Sequence, residues 1–404
     1  MRMLTRTLAF LVVLVCSHAA FAQKAFVRED LASDAVRLEE TLRKESVGLS
    51  GSAEQLHRQG MAALGRGESA AAVRPLAAAV AAAPKEFTYW LDYAKAAFAA
   101  EGQNASDRYT LQERATTAAY AAYQHAAKPT DQATALALLG DIYVEREIWR
   151  PALDAYKASL ERSTNSKIQA TYEDLREKHG FRILDYKVDN DSASPRVCFQ
   201  FSESLQRGKV DFAPFVAVSG NGTPAVSTED QQLCVDGLKH GERYAIVLRE
   251  GLPSAVGENL LKSADYEIYV KDRSPQVRFT GKNYVLPRVG QEGIPVVTVN
   301  TQKVNVEVYR IGDRNLLATV RSEDFLAQIG TERARQIADQ DGVKIWTGTL
   351  DVGSELNKDV VTAFPVLEAV GKLEAGVYVM MARPSLKGAT GTDASAAEDD
   401  SDQT

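Results

Sequence analysis

The spacing of hydrophobic residues changes near Gly180, and this change divides the chain into two kinds of structure. From about Leu31 to Gly180, apolar residues recur every three or four positions in a background rich in Ala, Leu, Glu and Arg, which predicts helices. After Gly180, short runs alternate apolar and polar residues between turn residues, which predicts strands. We therefore expect an α+β multidomain protein, all-helical first and antiparallel β afterwards.

Two segments of the helical part fit a helix–turn–helix template of about 34 residues. One segment aligns on Gly60 and the other on Gly140, where two helices would cross closely enough to exclude a larger side chain. The segments resemble tetratricopeptide repeats over residues 23–180. The predicted packing positions are Leu56, Gly60, Ala72 and Pro84 in the first, and Leu136, Gly140, Tyr143 and Ala152 in the second.

A third, degenerate repeat is predicted between these two. It opens at Phe87 with Trp90 and Tyr93, and a polar insertion from Glu101 to Tyr109 interrupts it. Such a stack offers a groove for a peptide or a partner from the cell envelope, or else a scaffold that holds neighbouring domains. We favour the scaffold because the sequence shows no clustered groove-facing charges; an Ala-rich helical region of another kind stays open.

The β part predicts two sandwiches, residues 181–272 and 273–386, joined at the polar sequence Asp272 to Pro275. Short strands separated by turn residues are typical of immunoglobulin-like antiparallel sandwiches. The first sandwich has predicted strands at 181–188, 197–201, 210–218, 231–235, 244–248 and 266–270. The second has them at 283–286, 295–299, 303–311, 343–350, 361–367 and 376–382.

The second sandwich carries two further expectations. One or two short helices are predicted between Ser322, as an N-terminal cap, and Ile337. We expect this sandwich to lack its last strand, because residues 387–404 are small, polar and acidic and should be disordered.

The first 22 residues predict an export signal. Arg2 and Arg6 precede an apolar core at 8–15, and Ala22 completes a small-residue cleavage pattern that leaves Gln23 first. The core is too short to span a bilayer. We expect a periplasmic or secreted protein without a transmembrane segment; lipid attachment at Cys16 is the alternative.

The net charge and the cysteines further limit the expected partners and cellular compartment. The formal net charge of −7 disfavours nucleic acid as a partner, since phosphate binding needs clustered Lys and Arg. Beyond the signal, Cys198 and Cys234 both lie opposite the apolar residues of their strands, and an exported protein favours their pairing as a disulfide. Two unpaired thiols are the alternative.

Catalytic and metal-binding motifs are not found in the sequence. His57, His125, His179 and His240 lie in separate segments, without the spacing of a zinc site. No phosphate loop, nucleophile elbow or calcium loop occurs, so we expect no cofactor and no enzymatic activity. Arg310 and Arg314 with Asp313 could form a recognition cluster, although charge at a strand end is usually a solvated surface.

Six sequence words within the β part, taken together and in order, resemble the early macroglobulin domains of bacterial alpha-2-macroglobulins. They are VCFQFSE (197–203), LCVDGLKHGERY (233–244), LREGLP (248–253), DRSPQVRF (272–279), NYVLPRVGQEGIPVVTVN (283–300) and VEVYRIGDRNL (306–316).

The resemblance implies two frame domains of an exported protease trap whose targets are proteases. Members of that family carry a bait segment and often a Cys-x-Glu-Gln thioester. The three cysteines here read CSHA, CFQF and CVDG, so none takes that role. We therefore expect the N-terminal part of such an inhibitor, as a fragment or truncated gene. The alternative is a free-standing periplasmic binding or scaffold module built on the helical repeats.

Overall fold

The computed structural model describes residues 26–220, 225–280, 293–322, 325, 327–371 and 373–385. The chain divides into two compact units, Met1–Gly180 and Phe181–Thr404. The predicted export signal with its cleavage site at Ala22 and Gln23, and the predicted acidic tail, lie outside the described residues. Within the described part, no helix combines the length and apolar content needed to cross a bilayer.

The described part of the first unit, residues 26–180, is built of eight helices, which confirms the all-helical half of the predicted fold class. Helices α2 and α3, α4 and α5, and α6 and α7 pack as consecutive pairs, and α1 packs on α3 and α5. The helices are α1 (Glu29–Glu45), α2 (Ala53–Gly65), α3 (Ser69–Ala82), α4 (Phe87–Ala99), α5 (Ala105–His125), α6 (Pro129–Glu145), α7 (Trp149–Arg162) and α8 (Ser166–His179).

Close approach within the pairs α2–α3 and α6–α7 depends on glycine. A methyl group at Gly60 would lie 2.4 Å from Leu76 Cγ, and one at Gly140 would lie 2.5 Å from Tyr156 Cε1. Both distances are shorter than van der Waals contact, so only glycine lets the two helices of a pair meet here. The other predicted packing residues Leu56, Ala72, Leu136, Tyr143 and Ala152 are buried, and the Pro84 carbonyl accepts a 2.6 Å hydrogen bond from Trp90 Nε1.

The middle pair differs from the sequence-based interpretation. The predicted insertion from Glu101 to Tyr109 does not interrupt the repeat, because the Asn104 side chain caps α5 and the helix begins at Ala105. An Asn side chain at this position satisfies a free backbone N–H of the first turn. The polar residues therefore lengthen α5 instead of breaking the pair.

The described residues of the first sandwich form seven strands. One sheet has the order β1-β2-β5-β4 and the other β3-β6-β7, and both are antiparallel. Between them lies a core that includes Phe199, Phe201 and Ile246. The strands are β1 (Ile183–Asp189), β2 (Arg196–Phe201), β3 (Val216–Val218), β4 (Ala225–Glu229), β5 (Gln232–Asp236), β6 (Arg243–Leu248) and β7 (Ala264–Tyr269).

Two predictions for this sandwich were wrong. The long strand expected over 210–218 is only β3, because Ala213–Phe215, with Pro214 inside, form a turn of 3-10 helix. Strand β4 was missed because most of its residues are small or polar.

The second sandwich places the sheet β11-β10-β13 over the sheet β12-β9-β8. Its core includes Val296, Val306, Val308 and Phe364. The elements are β8 (Gln276–Phe279), β9 (Ile294–Val299), β10 (Lys303–Ile311), α9 (Asp313–Arg321), α10 (Thr331–Gln336), β11 (Gly342–Asp351), β12 (Val360–Phe364), α11 (Val366–Val370) and β13 (Tyr378–Pro384).

Three details of this sandwich correct the prediction. Ser322 does not begin a helix; it follows the last residue of α9. The strand expected over 361–367 ends at Phe364, because Pro365 precedes α11. Strand β8 begins directly after the polar joint. The strand expected over 283–286 lies outside the described residues. The antiparallel sheets of both sandwiches confirm the β part of the predicted fold class.

We expect Gly140→Ala to lower the free energy of unfolding of the helical unit by about 1–3 kcal/mol, because the added methyl group overlaps the Tyr156 ring. The ring yields little, since the Tyr156 hydroxyl donates a 2.6 Å hydrogen bond to Asp141 Oδ1. The matched control is Gly65→Ala in α2, where a methyl group would have no neighbour within 4 Å. Urea denaturation should show no loss for the control; equal losses would contradict this packing.

Candidate functional site

A cluster of specific polar contacts lies at the junction of the two sandwiches. The chain leaves the first sandwich after β7 and enters the second at β8, through Asp272, Arg273 and Ser274. The sequence predicted a polar joint here. The structure adds what the sequence did not show, namely that both sandwiches hydrogen-bond to this connection.

The first sandwich contributes the turn between β1 and β2. Asn190 Oδ1 accepts a 2.9 Å hydrogen bond from the Lys271 backbone N–H, and Asp191 Oδ1 accepts one of 2.7 Å from the Ser274 backbone N–H. The Asp191 carbonyl accepts a 2.9 Å hydrogen bond from Arg273 Nε. This turn therefore holds the connection through both side chains and backbone.

The second sandwich contributes the loop between β11 and β12. Arg273 Nη1 lies 2.9 Å from Asp359 Oδ1 and donates a 3.3 Å hydrogen bond to the Asn357 carbonyl. The Arg273 side chain is only 6% exposed. A buried guanidinium is tolerated when its charge is paired and its N–H groups have partners, and here both Nε and Nη1 have them.

Two asparagines complete the junction. Asn357 accepts a 2.9 Å hydrogen bond from the Arg273 backbone N–H, and Asn300 donates one of 2.7 Å to the Arg273 carbonyl. The Asn357 N–H donates to Asn300 Oδ1 at 2.6 Å. Asn300 and Asn357 have φ of 48° and 62°. Asparagine is one of the few residues other than glycine that adopt this left-handed conformation readily.

The structure joins Cys198 and Cys234 in a disulfide. The two residues lie directly opposite each other on β2 and β5. Val197 and Phe199, on either side of Cys198, are fully buried in the core, whereas the cysteine faces the other side of the sheet.

A second polar cluster lies on the helical unit, across the first helices of the repeats. His57 Nε2 lies 2.9 Å from Asp92 Oδ2, and Lys95 Nζ lies 3.0 Å from Asp92 Oδ1. The Asp92 side chain is 8% exposed. Sequence analysis missed this cluster, although His57 and Asp92 are 35 residues apart and thus occupy adjacent positions of the repeat template.

Helix α1 is fastened at both ends to the repeats. At its start, the backbone N–H groups of Phe26 and Arg28 donate to the hydroxyls of Tyr123 (2.9 Å) and Tyr120 (3.0 Å). At its end, Arg114 donates to both carboxylate oxygens of Glu45, at 2.8 and 2.7 Å. This pair holds the pKa of the Glu45 carboxyl below its usual value, mainly through the hydrogen bonds from Arg114.

The other residues considered from the sequence do not assemble into a reactive site. His125 stacks on Trp90, and burial lowers the pKa of its imidazole. His179 stacks on Trp149. Arg310 and Asp313 form an exposed ion pair of 3.4 Å. The described residues contain no group of three or more His, Cys, Asp or Glu side chains that could hold a metal ion.

A family model and several known proteins are similar to parts of this chain. The bacterial alpha-2 macroglobulin MG2 domain model matches residues 278–389. The alpha-2-macroglobulin of Xylella fastidiosa is 26% identical over 219 residues, which is 51% of this chain and 13% of that protein. The alpha-2-macroglobulin of Escherichia coli K12 is 29% identical over 148 residues, 35% of this chain and 9% of that protein. The chain thus spans a small part of these relatives' length.

Solved structures give weaker likenesses. Salmonella alpha-2-macroglobulin reacted with methylamine is 19% identical, with a TM-score of 0.34, over 51% of this chain and 13% of that one. The Sgt2 TPR domain from Aspergillus fumigatus is 22% identical, with a TM-score of 0.27, over 31% of this chain and 78% of that one.

We expect Arg273→Met to destabilise the second sandwich by about 2–3 kcal/mol, because the Asp191 and Asn357 carbonyls and the Asp359 carboxylate lose their buried partner. Arg278→Met is the matched control, since Arg278 pairs with the same Asp359 but is 50% exposed, and its loss should cost under about 1 kcal/mol. Native-state hydrogen exchange of the β9 and β12 amides measures both. Equal effects would show that burial of Arg273 does not matter.

We expect the Glu45–Arg114 pair to make the helical unit sensitive to acid. Because the folded-state pKa of Glu45 lies below the unfolded value, the pair stabilises the fold above about pH 4.3 and loses this effect as pH falls through the folded pKa. The difference in urea midpoint between wild type and Glu45→Gln should therefore be largest at neutral pH and should disappear as the pH falls. Glu40→Gln, exposed on the same helix, is the control; a difference independent of pH would contradict the linkage.

Proposed function

We propose that this chain, whose residues 278–389 match the bacterial alpha-2 macroglobulin MG2 domain model, belongs to that family and supplies frame domains of an exported protease-inhibiting protein. Its two sandwiches would act as early macroglobulin domains, residues 181–272 and 273–386, behind a helical repeat domain over 23–180. Proteases would be the targets of the whole inhibitor.

The junction around Arg273 supports a frame role most directly. A frame must hold its domains at a fixed angle, and here the connection is hydrogen-bonded to a turn of one sandwich and a loop of the other. Pairing and burial of the guanidinium make these contacts costly to break. A flexible tether between domains would instead expose a polar, Gly- or Ser-rich linker to water.

This chain would not trap a protease on its own. None of its three cysteines stands in a Cys-x-Glu-Gln sequence, so it has no thioester to couple to an attacker. No enzymatic activity is proposed either, since inhibition by a trap needs a bait and a cage and not a catalytic group.

Export to the periplasm or the medium fits the same proposal. The first 22 residues have the pattern of a signal peptide, with cleavage between Ala22 and Gln23. The disulfide between Cys198 and Cys234 suits an oxidising compartment.

A second candidate is a free-standing binding module of the envelope. Lys95, which is 47% exposed and pairs with the buried Asp92, favours it, because it places a cation on one face of the repeats, where an extended peptide or an envelope protein could dock.

Immunoblotting separates the two candidates. An antibody raised against residues 181–280 is applied to envelope fractions of the native organism. The frame proposal expects a band much larger than 44.0 kDa in the exported fraction, whereas a module would run near that mass. A band at 44 kDa alone would overturn the frame proposal.

Incubation with trypsin or elastase provides the functional control. We expect the purified chain to form no covalent or size-shifted complex with either protease on gel filtration and denaturing gels. A stable complex would show that the chain traps proteases by itself. Protein in which the disulfide between Cys198 and Cys234 is reduced should likewise form no complex with either protease, because the disulfide is structural.

A further inference from the structure

The disulfide between Cys198 and Cys234 lies on the outer face of its sheet and not in the interior of the first sandwich. Neither cysteine belongs to the core cluster that includes their neighbours Val197 and Phe199. Cys198 is partly exposed to water, whereas Cys234 is 7% exposed. A reagent in solution therefore meets the bond from outside the sheet and reaches the Cys198 end more easily.

The bond runs across the two central strands of the sheet β1-β2-β5-β4. The residue directly opposite Cys198 on β1 is Lys187. The residue directly opposite Cys234 on β4 is Ser227. Directly opposed residues on one face have Cβ atoms about 5 Å apart, so Lys187 and Ser227 lie at the two ends of the bond.

These two ends differ in charge, and the difference favours one direction of attack. A thiolate that opens a disulfide attacks one sulfur in line with the S–S bond and opposite the sulfur that leaves. For attack on Cys198 Sγ, this line passes over β1 beside Lys187. For attack on Cys234 Sγ, it passes over β4 beside Ser227, whose hydroxyl donates a 2.7 Å hydrogen bond to Asp236 Oδ2. The ammonium group attracts an approaching thiolate and the carboxylate repels it.

The carboxylates near Lys187 are occupied by other partners. Asp185 and Asp189 share its face of β1. Asp189 lies 3.9 Å from Arg196 Nε on the next strand, and Asp185 accepts a 2.7 Å hydrogen bond from the Tyr186 backbone N–H. Lys187 itself is exposed. Its ammonium group is therefore accessible to an anion that approaches the bond.

Opening the bond leaves the other contacts of both strands in place. Strand β2 is hydrogen-bonded to β1 and β5, and β5 is also hydrogen-bonded to β4. On the opposite face, Val197, Phe199, Leu233 and Val235 are fully buried and hold the register. None of these contacts involves sulfur, so the reduced sandwich should keep its fold.

We propose that this disulfide is a reversible exchange site of the folded sandwich, opened by a dithiol protein that attacks Cys198. A thiolate of the dithiol protein forms a mixed disulfide with Cys198 Sγ, and Cys234 Sγ leaves with the electron pair and is protonated by water. The partner's second thiol then attacks the partner's own sulfur in the mixed disulfide and releases Cys198 as a thiolate, which takes up the proton that the second thiol loses. The chain gains two thiols and the partner becomes a disulfide; the reverse steps close the bond.

Two small thiols of opposite charge test the direction of attack on the full, oxidised chain without denaturant. The anionic probe is 2-mercaptoethanesulfonate and the cationic probe is cysteamine. After rapid quenching in acid, peptide mass mapping locates the mixed disulfide. We expect the adduct on Cys198 and a free thiol on Cys234. An adduct mainly on Cys234, or no reaction until urea is added, would overturn the proposal.

A charge reversal at Lys187 tests the role of its ammonium group. In Lys187→Glu, the anionic thiol should react about tenfold more slowly than in the wild type, while the cationic thiol should react faster. The matched control is Lys209→Glu, on an exposed residue outside the strands, which should leave both rates unchanged. The same change in rate for both thiols in Lys187→Glu would contradict the proposed path of attack.

Reversibility in the folded state is measured by hydrogen exchange. Dithiothreitol, itself a dithiol, should reduce the bond while the amides of β2 and β5 stay protected from exchange. Oxidised glutathione should then close the bond again. Loss of protection throughout the first sandwich on reduction would show that the bond cannot open in the folded protein, and would overturn the proposal.

Discussion

A buried guanidinium is the constraint on which the β unit depends. Arg273 lies between the last strand of the first sandwich and the first strand of the second; its charge is paired by Asp359, and its N–H groups reach carbonyls on both sides. Removing a cation from water is unfavourable unless every partner is in place. The turn at Asn190 and Asp191 and the loop at Asn357 must therefore keep their conformations together. Two domains that could have been independent thus share one polar core.

The helical unit packs its helices closely through small side chains. The first helices of neighbouring repeats touch one another, whereas α1 packs on α3 and α5, the second helices of two repeats. Alanines fill much of this interior, which permits short distances between backbones. Tyrosine hydroxyls then fix the start of α1, where backbone N–H groups have no helical partner.

Much of the fold could be predicted from the sequence because it depends on local spacing. Gly60 and Gly140 stand at template positions, and the phase of Cys198 within its strand places the thiol opposite Phe199. Strand β4 could not be predicted, since its apolar content is low. Helix α9 was missed because Asp313 and Arg314 could equally be charged residues at the end of a strand. The junction could not be predicted either, because Asn300, Asn357 and Asp359 meet Arg273 only after both sandwiches have formed.

The disulfide also depends on the register of the two strands that it joins. Cys198 and Cys234 are directly opposed on neighbouring strands, so the bond closes only when β2 and β5 align as they do here. A slip of one residue would turn Val197 and Phe199 away from the core and carry the two thiols to opposite faces. The disulfide is therefore compatible with only one alignment of β2 and β5, and its presence locks the register that keeps Val197 and Phe199 in the core.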